Sequence, residues 1–167
     1  MSLETRSILM RANRLFGAAL VEANLVTMDQ LEAANEKLLE TIASGESRQS
    51  SLLGILAYDM KIIREDDILQ HCVDEHGNGM IDLRGYEAHE ELRKTIDPDV
   101  CWATWTVPFD REEDFTFVAT AYYLSPAVRN YWEKQLGGSI LWYGTTMEEI
   151  GEFLEKLEAE RASRPNA

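Results

Sequence analysis

The chain has 167 residues, of which 45% are apolar and four are Trp, enough for one domain or two small ones sharing an interface. Its 30 acidic and 16 basic residues leave a net charge of -14, a field that repels phosphate backbones and anionic lipid and argues against nucleic acid or a membrane surface as a bulk partner. No apolar run approaches the roughly 20 residues that span a bilayer, and no signal-peptide pattern opens the chain, so membrane insertion is not expected.

Residues 3 to 23 carry Leu3, Ile8, Leu9, Ala12, Leu15, Phe16, Ala19 and Leu20 at helical spacing. Asn24 fits a helix end in the left-handed region. Thr27, with Gln30 three residues on, predicts a capping box that opens a helix to about residue 43, burying Leu31, Ala34, Leu38 and Ile42. The polar run 44 to 51 predicts a mobile loop. A short helix follows from Leu52 to Tyr58 or Asp59. Next comes a helix with acids at its start, which faces Ile68 and Cys72 inward and stops at Gly77-Asn78-Gly79.

The period then changes. Met80 to Leu83 predicts a short strand, 87 to 94 a short acidic helix, and 96 to 99 a turn. Trp102 to Phe109 and Phe115 to Tyr123 predict a hairpin whose loop, Asp110 to Asp114, is wider than the tightest type. Ser125-Pro126 starts a helix to Leu136, and Ser139 to Tyr143 is a strand. Thr145 or Thr146 caps a last helix that buries Ile150, Phe153, Leu154 and Leu157 and frays near Arg161. The fold class is α+β. A helical subdomain of two helix-turn-helix repeats, residues 1 to 78, precedes a small subdomain, 79 to 162, of order β-α-β-β-α-β-α, and residues 163 to 167 are a tail.

The helical half is a repeat: residues 52 to 75 lie on residues 15 to 38 without a gap. Leu15 falls on Leu52, Gly17 on Gly54, Asn24 on Lys61, Leu25 and Val26 on Ile62 and Ile63, and Leu31 on Ile68.

These copies, with the second half, resemble the N-terminal domain of the type II secretion and type IV pilus assembly ATPases, the GspE N-terminal domain, including its cyclic-di-GMP-binding version, MshEN. Each copy in that family reads roughly R-L-G-x-x-L-(V/L)-x-x-G-(L/I)-(I/L)-x-x-x-Q-L-x-x-A-L-x-x-Q. The first copy here retains Gly17, Leu20, Val21, Leu25, Val26, Gln30, Leu31 and Ala34; the second retains Gly54, Ile62, Ile63 and Ile68. The Pro-bearing strand before Phe109, the strand ending at Tyr123 and the Ser-Pro helix resemble the family's α+β part, so about residues 12 to 158 are covered. The departures are specific. The family's first Arg is Leu15 and Leu52, its second Gly is Asn24 and Lys61, and its closing Gln is Leu38 and Glu75. Leu at both Arg positions removes the charge that a dianionic ligand needs to offset its desolvation. Arg14 and Arg48 lie close by, but serve only if the backbone is displaced.

Catalytic chemistry is absent from the pattern. No Gly-rich phosphate loop ending in Lys-Ser/Thr occurs. Cys72 and His76 have i, i+4 spacing beside His71, but no second matched pair completes a zinc site. His89 reads as a solvated helix residue, Asp110 to Asp114 lacks calcium-loop spacing, and Ser125 reads as a cap without a His partner. The two cysteines, Cys72 and Cys101, predict free thiols in a reducing cytoplasm. No catalytic residue, metal or cofactor is expected.

The resemblance implies a non-catalytic, regulatory protein-interaction domain, partnered by a secretion or pilus assembly component or a linked effector domain. Leu15, Phe16, Leu20, Leu52 and Leu53 are its contact candidates, and the same residues also suit a core between the copies. The alternative it implies is a cyclic-di-GMP receptor in which Gly17 and Gly54 admit the ligand and Leu20, Leu31 and Ile68 pack its bases, with Arg14 nearby.

Overall fold

A computed structural model describes residues 1–45 and 50–163. The first copy is helix α1 (Leu3–Glu22) followed by α2 (Met28–Ala43). The Thr27–Gln30 capping box is present in both directions, at 3.1 and 2.9 Å, and α2 buries the four predicted residues. The second copy is α3 (Leu52–Gly54) running into a π-helix (Ile55–Asp59), then α4 (Glu65–His76), which ends on left-handed Gly77.

Asn24 and Lys61 both adopt positive φ, 62° and 52°, so one left-handed residue turns the chain at the same place in each copy. After each, the apolar pair repeats its burial: Leu25 and Ile62 are half-buried, Val26 and Ile63 buried. Upstream the copies differ. Ala23 N–H donates to Ala19, four residues back, whereas Met60 N–H donates to Ile55, five back. The wide turn takes up one extra residue, which puts Gly54 out of step with Gly17 in space although the two align in sequence.

The second half is β1 (Gly79–Met80), α5 (Glu90–Thr95), α6 (Pro98–Thr104), β2 (Thr106–Glu112), β3 (Phe115–Thr120), α7 (Pro126–Leu136), β4 (Ser139–Gly144) and α8 (Met147–Ser163). The strands form one sheet of order β1-β4-β3-β2, parallel at β1/β4 and β3/β4 and antiparallel at β2/β3. Edge strand β2 tolerates Pro108, and the register slips at Phe109. Helix α1 packs on α6 and α7, and one buried apolar cluster runs through both halves.

Several expectations are corrected. The order is β-α-α-β-β-α-β-α: the turn predicted at 96 to 99 opens a helix, because the Asp97 side chain accepts from Asp99 N–H and Pro98 occupies the first turn. Trp102 is therefore helical, and left-handed Trp105 (φ 47°) ends α6 before the strand begins. The hairpin turn is the two residues Glu113 and Asp114, since Glu112 pairs with Phe115. The strand expected over 80 to 83 is Gly79–Met80, because the chain leaves the sheet after Ile81 bonds Gly144 and Leu83 turns into the core. The helix expected at 87 begins at Glu90, capped by His89. Helix α8 continues past Arg161, whose Nε donates to the Arg93 carbonyl at 2.9 Å. Of the predicted mobile loop, residues 46 to 49 lie outside the described residues. Ser50 and Ser51 are only 4% and 6% exposed. Of the expected tail, residues 164 to 167 also lie outside the described residues.

Candidate functional site

The seam between the copies gathers part of the predicted site. Gly17 on α1 brings the chain so close to α2 and α3 that a Cβ there would stand 2.5 Å from Leu31 Cδ1 and 2.9 Å from Leu52 Cδ2. Phe16, Leu20 and Leu52 are 0% exposed and Leu53 1%, so they present no surface and fill the core that the sequence also suited them to. Ile68 is buried with them. Leu15 is half-buried and Arg14 exposed, while Arg48 lies outside the described residues. Gly54, half-buried, faces Ser51 and Met147 at 3.6 Å rather than the seam, in keeping with the extra residue of the π-turn.

Sequence reading missed the polar junction beside this seam. Helix α3 begins inside the protein, where its first N–H groups cannot reach water and need partners. Leu52 N–H donates to Asn13 Oδ1 (3.0 Å), Leu53 N–H to the Tyr122 hydroxyl (3.2 Å) and Gly54 N–H to Ser51 Oγ (3.1 Å). Tyr122 O–H donates to Asn13 Oδ1 at 2.7 Å, lies 2.6 Å from Ser51 Oγ, and stacks its ring on Phe16 at 4.2 Å. Burial raises the Tyr122 pKa well above the tyrosine value. Ser125, placed at the start of α7 as predicted, does not cap with its side chain; its Oγ donates instead to Ala12 O at 2.8 Å. No short motif signals this set, because its members lie up to 113 positions apart.

A second polar contact joins α4 to α8. Glu65 is 8% exposed; its Oε1 accepts from Met147 N–H, the first of α8, at 2.9 Å, and its Oε2 accepts from the Tyr58 hydroxyl. That hydrogen bond pushes the Tyr58 pKa up to about 12. Thr146 also caps α8, accepting from Glu149 N–H at 3.3 Å, as the sequence predicts. Tyr58 stands between two clefts. One, of about 210 Å³, includes Ile63, Arg64 and Asp66; the other, of about 450 Å³, lies over Trp102, Trp105 and α8.

Among the described residues the remaining titratable groups fall into separate clusters. Arg84 forks onto Asp82 at 2.9 and 2.8 Å and holds that carboxyl well below the usual range, while burial and the neighbouring Asp82 raise Glu149. The cleft lined by Arg84 and Glu149 is otherwise faced by Leu83, Gly85, Tyr86, Glu152, Phe153 and Lys156, with no nucleophile or histidine. Cys72 and Cys101 are free and buried, and burial pushes the Cys72 thiol to about 11. His76 packs on Tyr123 at 5.3 Å and edge-on to His71 at 6.0 Å. Among the described residues no group of three or more His, Cys, Asp or Glu is placed to hold a metal. No helix there is long and apolar enough to cross a membrane.

No family profile matches the chain, and no curated protein matches it significantly. Solved structures do. The N-terminal domain of XpsE aligns at a TM-score of 0.54 and 18% identity, over 93% of this chain and 96% of that one. A structure of MshE with cyclic-di-GMP aligns at 0.52 and 15%, over 85% of this chain and 97% of that one. The chain therefore has the fold of the GspE and MshE N-terminal domains, the α+β architecture that its repeat implied.

Proposed function

We propose that this chain is a non-catalytic protein-interaction domain that docks a secretion or pilus assembly component, or an effector linked to it, in the cytoplasm. The observation that carries the reading is the fold likeness to the XpsE N-terminal domain across 93% of the chain, in a sequence with no phosphate loop or catalytic triad. The regulatory role follows the same likeness. Cyclic-di-GMP, present with MshE, is the second reading and the less favoured one. Leu52 replaces a phosphate-facing Arg of the motif, and its methyl packs within 2.9 Å of the space a Gly17 Cβ would take. No cation of the seam among the described residues is closer in sequence than exposed Arg14.

Two experiments test this. Calorimetric titration of the full chain with cyclic-di-GMP is expected to give no saturable heat, and micromolar or tighter binding reverses the order of the two readings. Gel filtration with individual secretion and pilus assembly proteins is expected to yield a stoichiometric complex with one of them. Separate elution from all of them overturns the docking role.

A further inference from the structure

Strand β3 turns its small side chains inward and its rings outward. Thr116, Val118 and Thr120 are 2%, 0% and 1% exposed, whereas Phe115, on the other face, is 43% exposed and Phe117 half-buried. Leu141 of β4, directly across from Phe117, is 39% exposed, and Tyr143 packs on Phe117 at 6.1 Å. One end of this face is closed, since Phe109 is 2% exposed and Tyr86 meets its ring edge-on at 5.2 Å. The end that holds Phe115 and Leu141 is open. Asp110 and Glu112 of β2 stand across from Phe117 and Phe115 and so share the face. Neither has an ion pair among the described residues; Arg111 between them reaches Glu91 instead.

Helix α1 carries the complement. It packs on α6 and α7, and its outer side is a stripe of Leu3, Arg6, Met10 and Arg14, with Arg11 beside it. Leu3 is 87% and Met10 39% exposed, and the three arginines are exposed with no ion pair among the described residues. In a chain of net charge -14, this is a local positive patch around two apolar side chains. The sheet face is the reverse, an apolar patch beside unpaired acids.

We propose that the outer side of α1 docks on the open sheet face of a second copy of this chain. Leu3 and Met10 cover Phe115 and Leu141, and the arginines come to Asp110 and Glu112. Apolar burial supplies the affinity and charge the orientation. The stripe from Leu3 to Arg14 is about 16 Å long, and the face from Phe115 to the level of Tyr143 about 13 Å, so one helix spans it. Sheet on sheet would set acid against acid, and helix on helix arginine against arginine. The contact is therefore head to tail, each copy keeps one patch free, and association continues past a dimer. A few side chains on each surface make a small interface, so half-association falls on the order of 100 μM.

Sedimentation equilibrium of the full chain, from about 10 μM to about 1 mM, tests this. The mean mass is expected to rise past that of a dimer. Arg6→Glu, Arg11→Glu, Arg14→Glu blocks the helix patch, and Phe115→Thr, Leu141→Thr blocks the sheet patch with side chains that suit a strand. Each blocked variant alone is expected to stay monomeric, with unchanged circular dichroism. Their equimolar mixture holds one intact patch of each kind and is expected to give a 1:1 dimer and nothing larger. Asp110→Asn, Glu112→Gln, which leaves the apolar side chains in place, is expected to weaken association about tenfold. A wild-type monomer at about 1 mM, a blocked variant that associates as the wild type does, a mixture that stays monomeric, or full association in the amide variant overturns the proposal. So does a wild-type monomer whose partner complex in gel filtration is lost in Phe115→Thr, Leu141→Thr, since the sheet face then belongs to that partner. The docking role is judged separately, by whether any such complex forms.

Discussion

The carboxamide oxygen of Asn13 accepts the hydroxyl proton of Tyr122 at 2.7 Å, across 109 residues of sequence, and the same oxygen accepts Leu52 N–H. One atom thus ties α1 to the start of the second copy and to the chain leaving the sheet. Asn13 also donates from Nδ2 to Leu9 O at 2.8 Å, which fixes its orientation. Asn13→Ala leaves a buried amide and a buried hydroxyl short of partners, so it is expected to cost about 2–4 kcal/mol. Tyr122→Phe is expected to cost about 1–3 kcal/mol, and the double variant less than the sum by about 1 kcal/mol. Urea denaturation of the four proteins checks this; strict additivity would mean the two side chains act independently.

Glu65 closes the N-terminus of α8 from another helix. Glu65→Gln keeps an oxygen for Met147 N–H but loses the charge that favours a helix start, an expected loss of about 1 kcal/mol; Glu65→Ala loses both, about 2 kcal/mol. Amide exchange should quicken in the first turn of α8 before it does in α2. Uniform quickening through both helices would count against a local capping role.

Gly77 and Gly138 share a left-handed φ, 67° and 63°, but not their surroundings. A Cβ at Gly77 would meet nothing within 4 Å, whereas one at Gly138 would stand 2.8 Å from the Asp114 carbonyl oxygen. That oxygen already accepts from Ser139 N–H at 3.2 Å, so it cannot move away freely. Gly77→Ala is expected to cost about 1 kcal/mol, and Gly138→Ala more, about 2–4 kcal/mol. Thermal unfolding ranks them, and equal shifts would remove the steric argument.

Alkaline pH is expected to weaken the fold in part through Tyr58. Its pKa is 10.0 unperturbed and about 12 in the folded protein, so between those values the unfolded chain gives up a proton that the native state keeps. Stability is then full below about pH 10 and falls as pH rises toward 12. Tyr58→Phe should flatten that fall without removing it, since Tyr122 titrates in the same direction. An identical pH profile in the variant would separate Tyr58 from the effect.

What was legible in the sequence were features settled within a few residues of each other. Thr27 and Gln30 announce their box, Asn24 and Gly77 their left-handed turns, and Ser125-Pro126 the start of α7. The segment from Trp102 to Trp105 was not legible, because aromatic and β-branched residues favour strands locally and only packing on α1 makes them helical. The charged run at 110 to 114 hid a two-residue turn, since strand pairing extends through charges that point to water. The candidate site divided the same way. Gly17, Leu31 and Leu52, each singled out by the repeat, meet at the seam, whereas Asn13, Ser51, Tyr122 and Glu65 act only through partners that folding brings from afar.

The π-turn at Ile55–Asp59 leaves the second copy one residue richer than an α-helical path between the same end points would be. Excising that residue would let ordinary helical bonds close between those end points, so Leu52 and Leu53 would keep their places in the interior and Asn13 and Tyr122 would still receive their amides. One residue more has no such slack: it would turn everything upstream by about 100° around the helix axis and carry those leucines out of the core. The segment tolerates shortening and not lengthening.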